Sequence, residues 1–261
     1  MKRSHCLYIV LLITLSCTRV PVTNRVQLNL LAETELIKMA EKQYSDFLKS
    51  NRVISNNQAK MIQNCGLKIS KAVETYLKAH KKDKRLKGFN WQINLVQDKT
   101  INAWCMPGGK IVFYTGIIDV CKDEAGIAVV MGHEIAHAIA RHGNERMSKA
   151  IALEAGGQTL NQLDGGTAST LFKGAYGLGA TLGQLAFSRK HEAEADRMGL
   201  IFMAMAGYDP REAPRFWKRM SEKGSKKPPM ILSTHPHDEK RIKNLEKHMN
   251  EALKYYSGKK H

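Results

Sequence analysis

Between Gly126 and Ala140 two histidines and a glutamate stand inside an otherwise apolar run, a combination that few folds can accommodate. In His133-Glu134-Ile135-Ala136-His137 the imidazoles are four residues apart. On an α-helix that spacing puts both rings on one face, aimed at one point. Ala128, Val129, Val130, Ile135, Ala136, Ile139 and Ala140 surround them with apolar bulk, so the helix is expected to be buried rather than to carry a polar surface stripe. Buried imidazoles need partners, and a metal ion supplies one. The spacing predicts a long helix from about Asp123 to Arg141, with Asp123 and Glu124 in its first turn and Gly143 just past its end.

Glu134 lies about 100° around that helix from His133, near enough to reach a water on the ion without ligating the ion itself. It is the candidate general base: the ion acidifies its water and polarises a carbonyl, while the carboxylate takes the proton and returns it to the leaving amine. One zinc per chain, hydrolysing amides, is the chemistry this stretch implies. A catalytic zinc keeps three protein ligands, so a third must come from elsewhere. In Ser188-Arg189-Lys190-His191-Glu192-Ala193-Glu194-Ala195-Asp196, Glu192 and Asp196 share a helical face while Glu194 turns away. Glu192 is the candidate ligand, and Asp196 the candidate acceptor for the free N–H of His133 or His137. The alternative is a solvated acidic face, which Ala193 and Ala195 disfavour. In Ser233-Thr234-His235-Pro236-His237, His235 could donate to the oxyanion, close onto the open metal position, or simply serve as a turn residue before proline.

The rest of the chain predicts an α+β fold that is mainly α-helical. Apolar residues at helical spacing mark helices over Leu31 to Leu48 and Asn57 to Lys78, and further helices are expected over Ser188 to Met205, Arg211 to Lys223 and Asp238 to Tyr256. Asn90 to Val96 alternates as a strand. Asn102 to Thr115 reads as a hairpin confined to a sheet edge by Pro107, Gly108 and Gly109. Gly156 to Gly183 holds eight glycines, which suits either a mobile flap or a helix packed closely on a neighbour. Residues 31–257 are expected to form one metallopeptidase domain, followed by a basic tail, 258–261.

At the other end, Lys2 and Arg3 precede an apolar run from Cys6 to Leu15 of signal-peptide length. Thr14-Leu15-Ser16-Cys17 resembles a bacterial lipoprotein box, with Thr14 where that pattern usually has Leu, so residues 1–16 are expected to be a signal peptide and 17–30 a polar tether carrying lipid on Cys17, with plain secretion or an uncleaved anchor as the alternatives. That places the protein in a bacterial cell envelope, facing the periplasm. Cys65, Cys105 and Cys121 then allow one disulfide at most, or three buried thiols. Lys and Arg outnumber Asp and Glu by 41 to 24, for a net charge of +17. Such a surface favours anionic partners, but no nucleic-acid recognition motif accompanies it, and no nucleic-acid partner is expected. The sequence sets no oligomeric state.

Together, Asn102-Ala103 with Pro107-Gly108-Gly109, Gly132-His133-Glu134-x-x-His137 with His142-Gly143, Ser188-Arg189-x-x-Glu192-x-Glu194-Ala195-Asp196 and Ser233-Thr234-His235-Pro236 resemble the HtpX and CAAX-prenyl-protease family of zinc metallopeptidases, in its soluble, lipid-anchored or periplasmic branch. The resemblance implies a gluzincin-type domain with a small edge-stranded sheet and a long active-site helix. It implies Glu192 as third zinc ligand, His235 near the metal as a candidate regulator, and endopeptidase action on misfolded or envelope proteins. An extended peptide would pair with the edge strand at Asn102 and Ala103. A latent or non-catalytic, chaperone-like quality-control factor that keeps the metal site is the alternative. The multi-span helices of other family members are absent from this sequence, which argues against prenyl-protein processing.

Overall fold

The computed structural model describes residues 17–154, 172, 175, 187–223, 229–235 and 239–257. The signal segment 1–16 and, but for Phe172 and Ala175, the glycine-rich segment 156–183 lie outside the described residues. Among the described residues helices dominate, with a four-stranded sheet and a separate two-stranded one, in keeping with the long helical periods and few short β runs of the sequence.

Two amphipathic helices, α1 (Glu33–Ser50) and α2 (Asn57–Ala79), come first. α2 starts where the Asn56 side chain accepts a hydrogen bond from the Ala59 amide at 2.9 Å. The four-stranded sheet runs β3 (Val53–Ile54), β4 (Gln92–Val96), β6 (Lys110–Tyr114), β5 (Ala103–Met106). β4 and β6 are parallel, whereas β5 returns antiparallel on β6 and forms the edge. The expected edge position thus holds for β5 but not for β6, which is central, and Pro107 lies in the turn between them rather than in a strand. At this turn Gly109 has φ +79°, and a Cβ there would lie 2.5 Å from the Trp91 ring, so only glycine fits.

After the short helix α3 (Ile118–Cys121) comes α4 (Glu124–Ala140), the helix of the histidine motif, buried from Gly126 to Ala140. Asp123 caps it through the Gly126 amide at 2.9 Å. It ends where the sequence indicates, with Arg141 in the left-handed conformation at φ 58°, but no loop follows at Gly143: a new helix, α5 (His142–Glu154), begins at once. The reversal carries His142 and Glu145 back toward the motif. Beyond residue 186, four helices are found among the described residues, α6 (Arg189–Met205), α7 (Glu212–Lys223), α8 (Met230–Thr234) and α9 (Glu239–Leu253). All but α8 were legible from periodicity.

α4 and α6 make the closest helix pairing in the core. A Cβ on Gly132 would stand 3.0 Å from the Gly199 carbonyl oxygen, and one on Gly199 would stand 3.1 Å from the backbone of Gly132 and His133. Backbone meets backbone at this crossing, so the distance between the two helices is set by the absence of side chains.

Order also begins earlier than the polar composition of residues 18–30 suggests. β1 (Cys17–Arg19) pairs antiparallel with β2 (Val26–Leu28), Val20 is fully buried, and the Leu30 amide donates to Ser148 Oγ at 2.8 Å. The segment is held by ion pairs and hydrogen bonds rather than by apolar periodicity, which is why its sequence resembles a tether. Cys65, Cys105 and Cys121 are buried free thiols. Among the described residues no helix is long and apolar enough to cross a membrane.

Candidate metal centre

His133 and His137 project from α4, Glu192 from the first turn of α6, and His235 from the end of α8. One donor atom from each lies within 4.8 Å of every other. His133 Nε2 is 3.1 Å from His137 Nε2 and 3.2 Å from His235 Nδ1. Glu192 Oε1 stands 3.3 Å from His137 Nε2 and 3.1 Å from His235 Nδ1, and its Oε2 3.4 Å from His133 Nε2. A tetrahedral zinc with ligands at about 2.0–2.1 Å has donor-to-donor edges of roughly 3.3–3.4 Å, close to every one of these separations. Buried imidazole nitrogens that face one another and a carboxylate, and cannot all donate to one another, fit a cation.

Glu134 lies beside the cluster, with Oε1 3.5 Å from His235 Nε2 and lacking a hydrogen bond. Burial raises its pKa above the usual carboxylate value. Burial likewise holds His137 well below the ordinary histidine range. His133 goes the other way, to about 9, because Glu192 and Asp196 outweigh both burial and the Arg241 charge. Glu192 is held well below its ordinary value, His235, Arg241 and His133 overcoming burial.

Asp196 Oδ1 lies 2.9 Å from His133 Nδ1, on the face that the four-residue spacing from Glu192 indicated. As an acceptor it requires a proton on Nδ1, so a neutral His133 ring presents its Nε2 lone pair to the cluster. Arg241 of α9 completes this side: its Nε and Nη2 reach Asp196 at 2.9 and 2.8 Å, and Nη1 lies 3.0 Å from Glu192 Oε2. Its guanidinium sits 3.3 Å from the Trp217 ring, which in turn packs edge-on to His133. Sequence reasoning noted Arg241 after the Ser233–His237 stretch but gave it no role, because one arginine in a chain this basic carries no signal until the fold buries it.

The second group it missed lies behind His137, where His142, Glu194, Arg25 and Thr23 form a connected set. Glu194 does turn away from the ligand face, but onto His142 at 3.0 Å rather than into solvent. Burial pulls His142 down to about 4, while hydrogen bonds from His142, Arg25 and Thr23 overcome burial and hold Glu194 at about 2.

Asn102 and Ala103 line a small cavity of about 20 Å³ together with Glu134, His137, Phe187 and His235. Phe187 roofs it, its ring 4.0 Å from that of His137 and 5.0 Å from that of His235. His133, Glu134, His137, Glu192 and His235 are each no more than 3% exposed.

The family model for Peptidase family M48 matches residues 66–249. The chain is similar to the mitochondrial metalloendopeptidase OMA1 of Arabidopsis thaliana, 38% identical over 72% of this chain and 38% of the relative. It is similar to the mitochondrial metalloendopeptidase OMA1 of Homo sapiens at 28% over 90% of this chain and 46% of the relative. A bacterial relative, the beta-barrel assembly-enhancing protease of Escherichia coli (strain K12), is 28% identical over 60% of this chain and 34% of the relative. In each case the chain spans less than half the relative's length. The chain belongs to peptidase family M48.

Proposed function

We propose that this M48 chain is a zinc-dependent metalloendopeptidase in which His133, His137 and Glu192 hold one metal ion and Glu134 is the general base. The observation that carries the reading is the donor set itself: three nitrogens and a carboxylate at tetrahedral edge lengths, with an unsatisfied buried carboxylate beside them. Zinc bound in such a site polarises a scissile carbonyl and lowers the pKa of attacking water. Glu134, its proton affinity raised by burial, accepts the proton of that water and delivers it to the departing amine. Asp196 orients His133, and Arg241 keeps Asp196 anionic.

The substrate in this reading is a protein segment in extended form, paired by its main chain with the edge strand near Asn102 and Ala103. Main-chain pairing is blind to side chains, which suits misfolded or envelope proteins. The compartment follows from the expected N-terminal signal, with lipid on Cys17 and the domain facing the periplasm. β1 begins at Cys17, so a lipid there would hold the hairpin at the membrane surface with no slack between them. Palmitate labelling of the wild type but not of Cys17→Ser checks the anchor, and an unlabelled wild type removes it.

The enclosure of the site favours a second element, latency. His235 stands at the fourth corner of the donor set, a position that supports a capping role over an oxyanion donor. Opening then requires His235, Phe187 or both to move. The alternative function is a quality-control factor that binds without cutting. The Glu134→Gln protein discriminates: it should keep one zinc per chain and lose casein cleavage. Unchanged cleavage refutes the mechanism, and full complementation of a deletion strain by Glu134→Gln favours the non-catalytic factor.

A further inference from the structure

Behind His137 a connected chain of hydrogen bonds leads away from the metal centre to the N-terminal hairpin. His137 Nδ1 is 2.9 Å from His142 Nδ1, and His142 Nε2 is 3.0 Å from Glu194 Oε2. Glu194 also accepts from Arg25 Nε at 2.8 Å and from the Thr23 hydroxyl. Arg25 reaches on to Glu145 of α5, through Nη1 at 3.0 Å and Nη2 at 2.7 Å. His142 is fully buried, so none of its bonds is replaceable by water.

Donor counting leaves one arrangement for neutral rings. An ionised Glu194 only accepts, so His142 Nε2 carries the proton. His142 Nδ1 is then bare and can only accept, which forces the proton of His137 onto Nδ1. His137 Nε2 is left with its lone pair pointing into the cluster of His133, Glu192 and His235. The opposite tautomer of His137 would place an N–H there and two bare nitrogens against each other on the far side.

We propose that His142 and Glu194 are positioning residues that fix His137 in its metal-binding tautomer, and that Arg25 and Thr23 make the N-terminal hairpin a working part of the metal centre. The proposal rests on the zinc site of the preceding section. Arg25 straddles Glu194 on α6 and Glu145 on α5, so one guanidinium clamps the helix bearing Glu192 to the helix that supplies His142. A lysine could not span both carboxylates. Whatever loosens residues 17–30 would therefore weaken metal binding without touching a ligand.

The test is zinc affinity of the full chain, measured by competition with a chromophoric chelator. Loss of outer partners of this kind weakens metal binding by about 10–100-fold. His142→Phe and Glu194→Ala should show that loss, Arg25→Ala and Arg25→Lys a smaller one, and Glu194→Gln, whose oxygen still accepts from His142, should stay within about 3-fold of wild type. Long-range ¹H–¹⁵N spectra of the zinc-free protein give a second readout, with His137 protonated at Nδ1 in wild type and Glu194→Gln but mixed in Glu194→Ala. Wild-type affinity in His142→Phe and Glu194→Ala overturns the proposal. So does an equal loss in Glu194→Gln and Glu194→Ala, which would mark a purely structural carboxylate. Should His142→Phe not fold, the Glu194 pair alone decides. A wild-type chain that takes up no zinc overturns the underlying site as well, and so is distinguishable from failure of the relay.

Discussion

Replacing Gly132 by alanine adds a methyl group at the point where α4 and α6 touch, next to His133 and on the helix opposite Glu192. The new Cβ would lie 3.0 Å from the Gly199 oxygen, 3.4 Å from its Cα and 3.5 Å from its carbonyl carbon. All three are backbone atoms and cannot rotate away. Restoring ordinary contact requires the helices to part by roughly 0.4–0.7 Å, against a tolerance of about 0.2 Å in zinc–ligand distances. Overpacking of this kind costs about 1–3 kcal/mol, and alanine's helix preference returns about 0.5–1, so the net loss is at most about 2.5 kcal/mol. At about 2–4 °C per kcal/mol for a chain of this size, the melting temperature should fall by no more than about 10 °C. The larger effect should be on the site, with zinc affinity down at least about 10-fold while circular dichroism still reports the native helices. Gly66→Ala is the control. Its Cβ would meet Ile93 Cδ1 at 2.6 Å, the far end of a side chain that can rotate, so zinc affinity should not change. If Gly132→Ala binds zinc as wild type does, the argument that the helix crossing sets the ligand geometry is wrong.

Other expectations are open to direct measurement. Glu134→Gln should lower peptide cleavage by about 10²–10⁴ while zinc content, read by atomic absorption, stays at one per chain. Asp196→Ala strips the buried Arg241 of its bidentate partner and His133 of its acceptor; breaking a buried pair in this way costs about 3–5 kcal/mol, visible as a lowered urea midpoint. Burial pushes the Cys65 thiol up to about 12 and Cys105 well above the thiol range, so all three internal cysteines should resist iodoacetamide at pH 8 and react only after denaturation. Glu145 is held below the usual carboxylate range by His191, Arg25 and Lys149, against the opposing effect of burial. Its contribution to stability is therefore complete above the ordinary glutamate value and lost as pH falls below it. Thermal melts from pH 6 to pH 3 should decline less steeply in Glu145→Gln than in wild type, and parallel curves would refute this.

Much of the site could be read from spacing, because the information is local. An i, i+4 pair of histidines on a buried helix shares one face whatever the rest of the chain does, and the same rule puts Glu192 and Asp196 together on α6. The hairpin was legible in part: Pro107, Gly108 and Gly109 mark its turn, but which of its two strands lies at the edge is decided by the pairing of β4 with β6. The end of α4 was legible to within a residue, but the helix that starts at once at His142 was not, because Gly143 reads as a loop residue and Arg141 has no intrinsic liking for the positive φ that makes the turn.

Local spacing could not decide which distant groups meet. That α4 and α6 approach to backbone contact follows from Gly132 and Gly199 facing each other, a coincidence between residues 67 apart that neither segment records alone. The same holds for Arg241 on Asp196 and for Arg25 on Glu194, pairs separated by 45 and 169 positions. Hydrogen bonds and ion pairs reach only about 3 Å, so their partners are chosen by how helices and hairpin pack, and packing is a property of the whole chain. The sequence by itself therefore determined the metal-binding chemistry, held in two helical turns. The tertiary structure decided what surrounds those turns: which distant groups meet them, the enclosure of the cluster, and its hydrogen-bonded contact with an N-terminal segment whose composition resembles that of a tether.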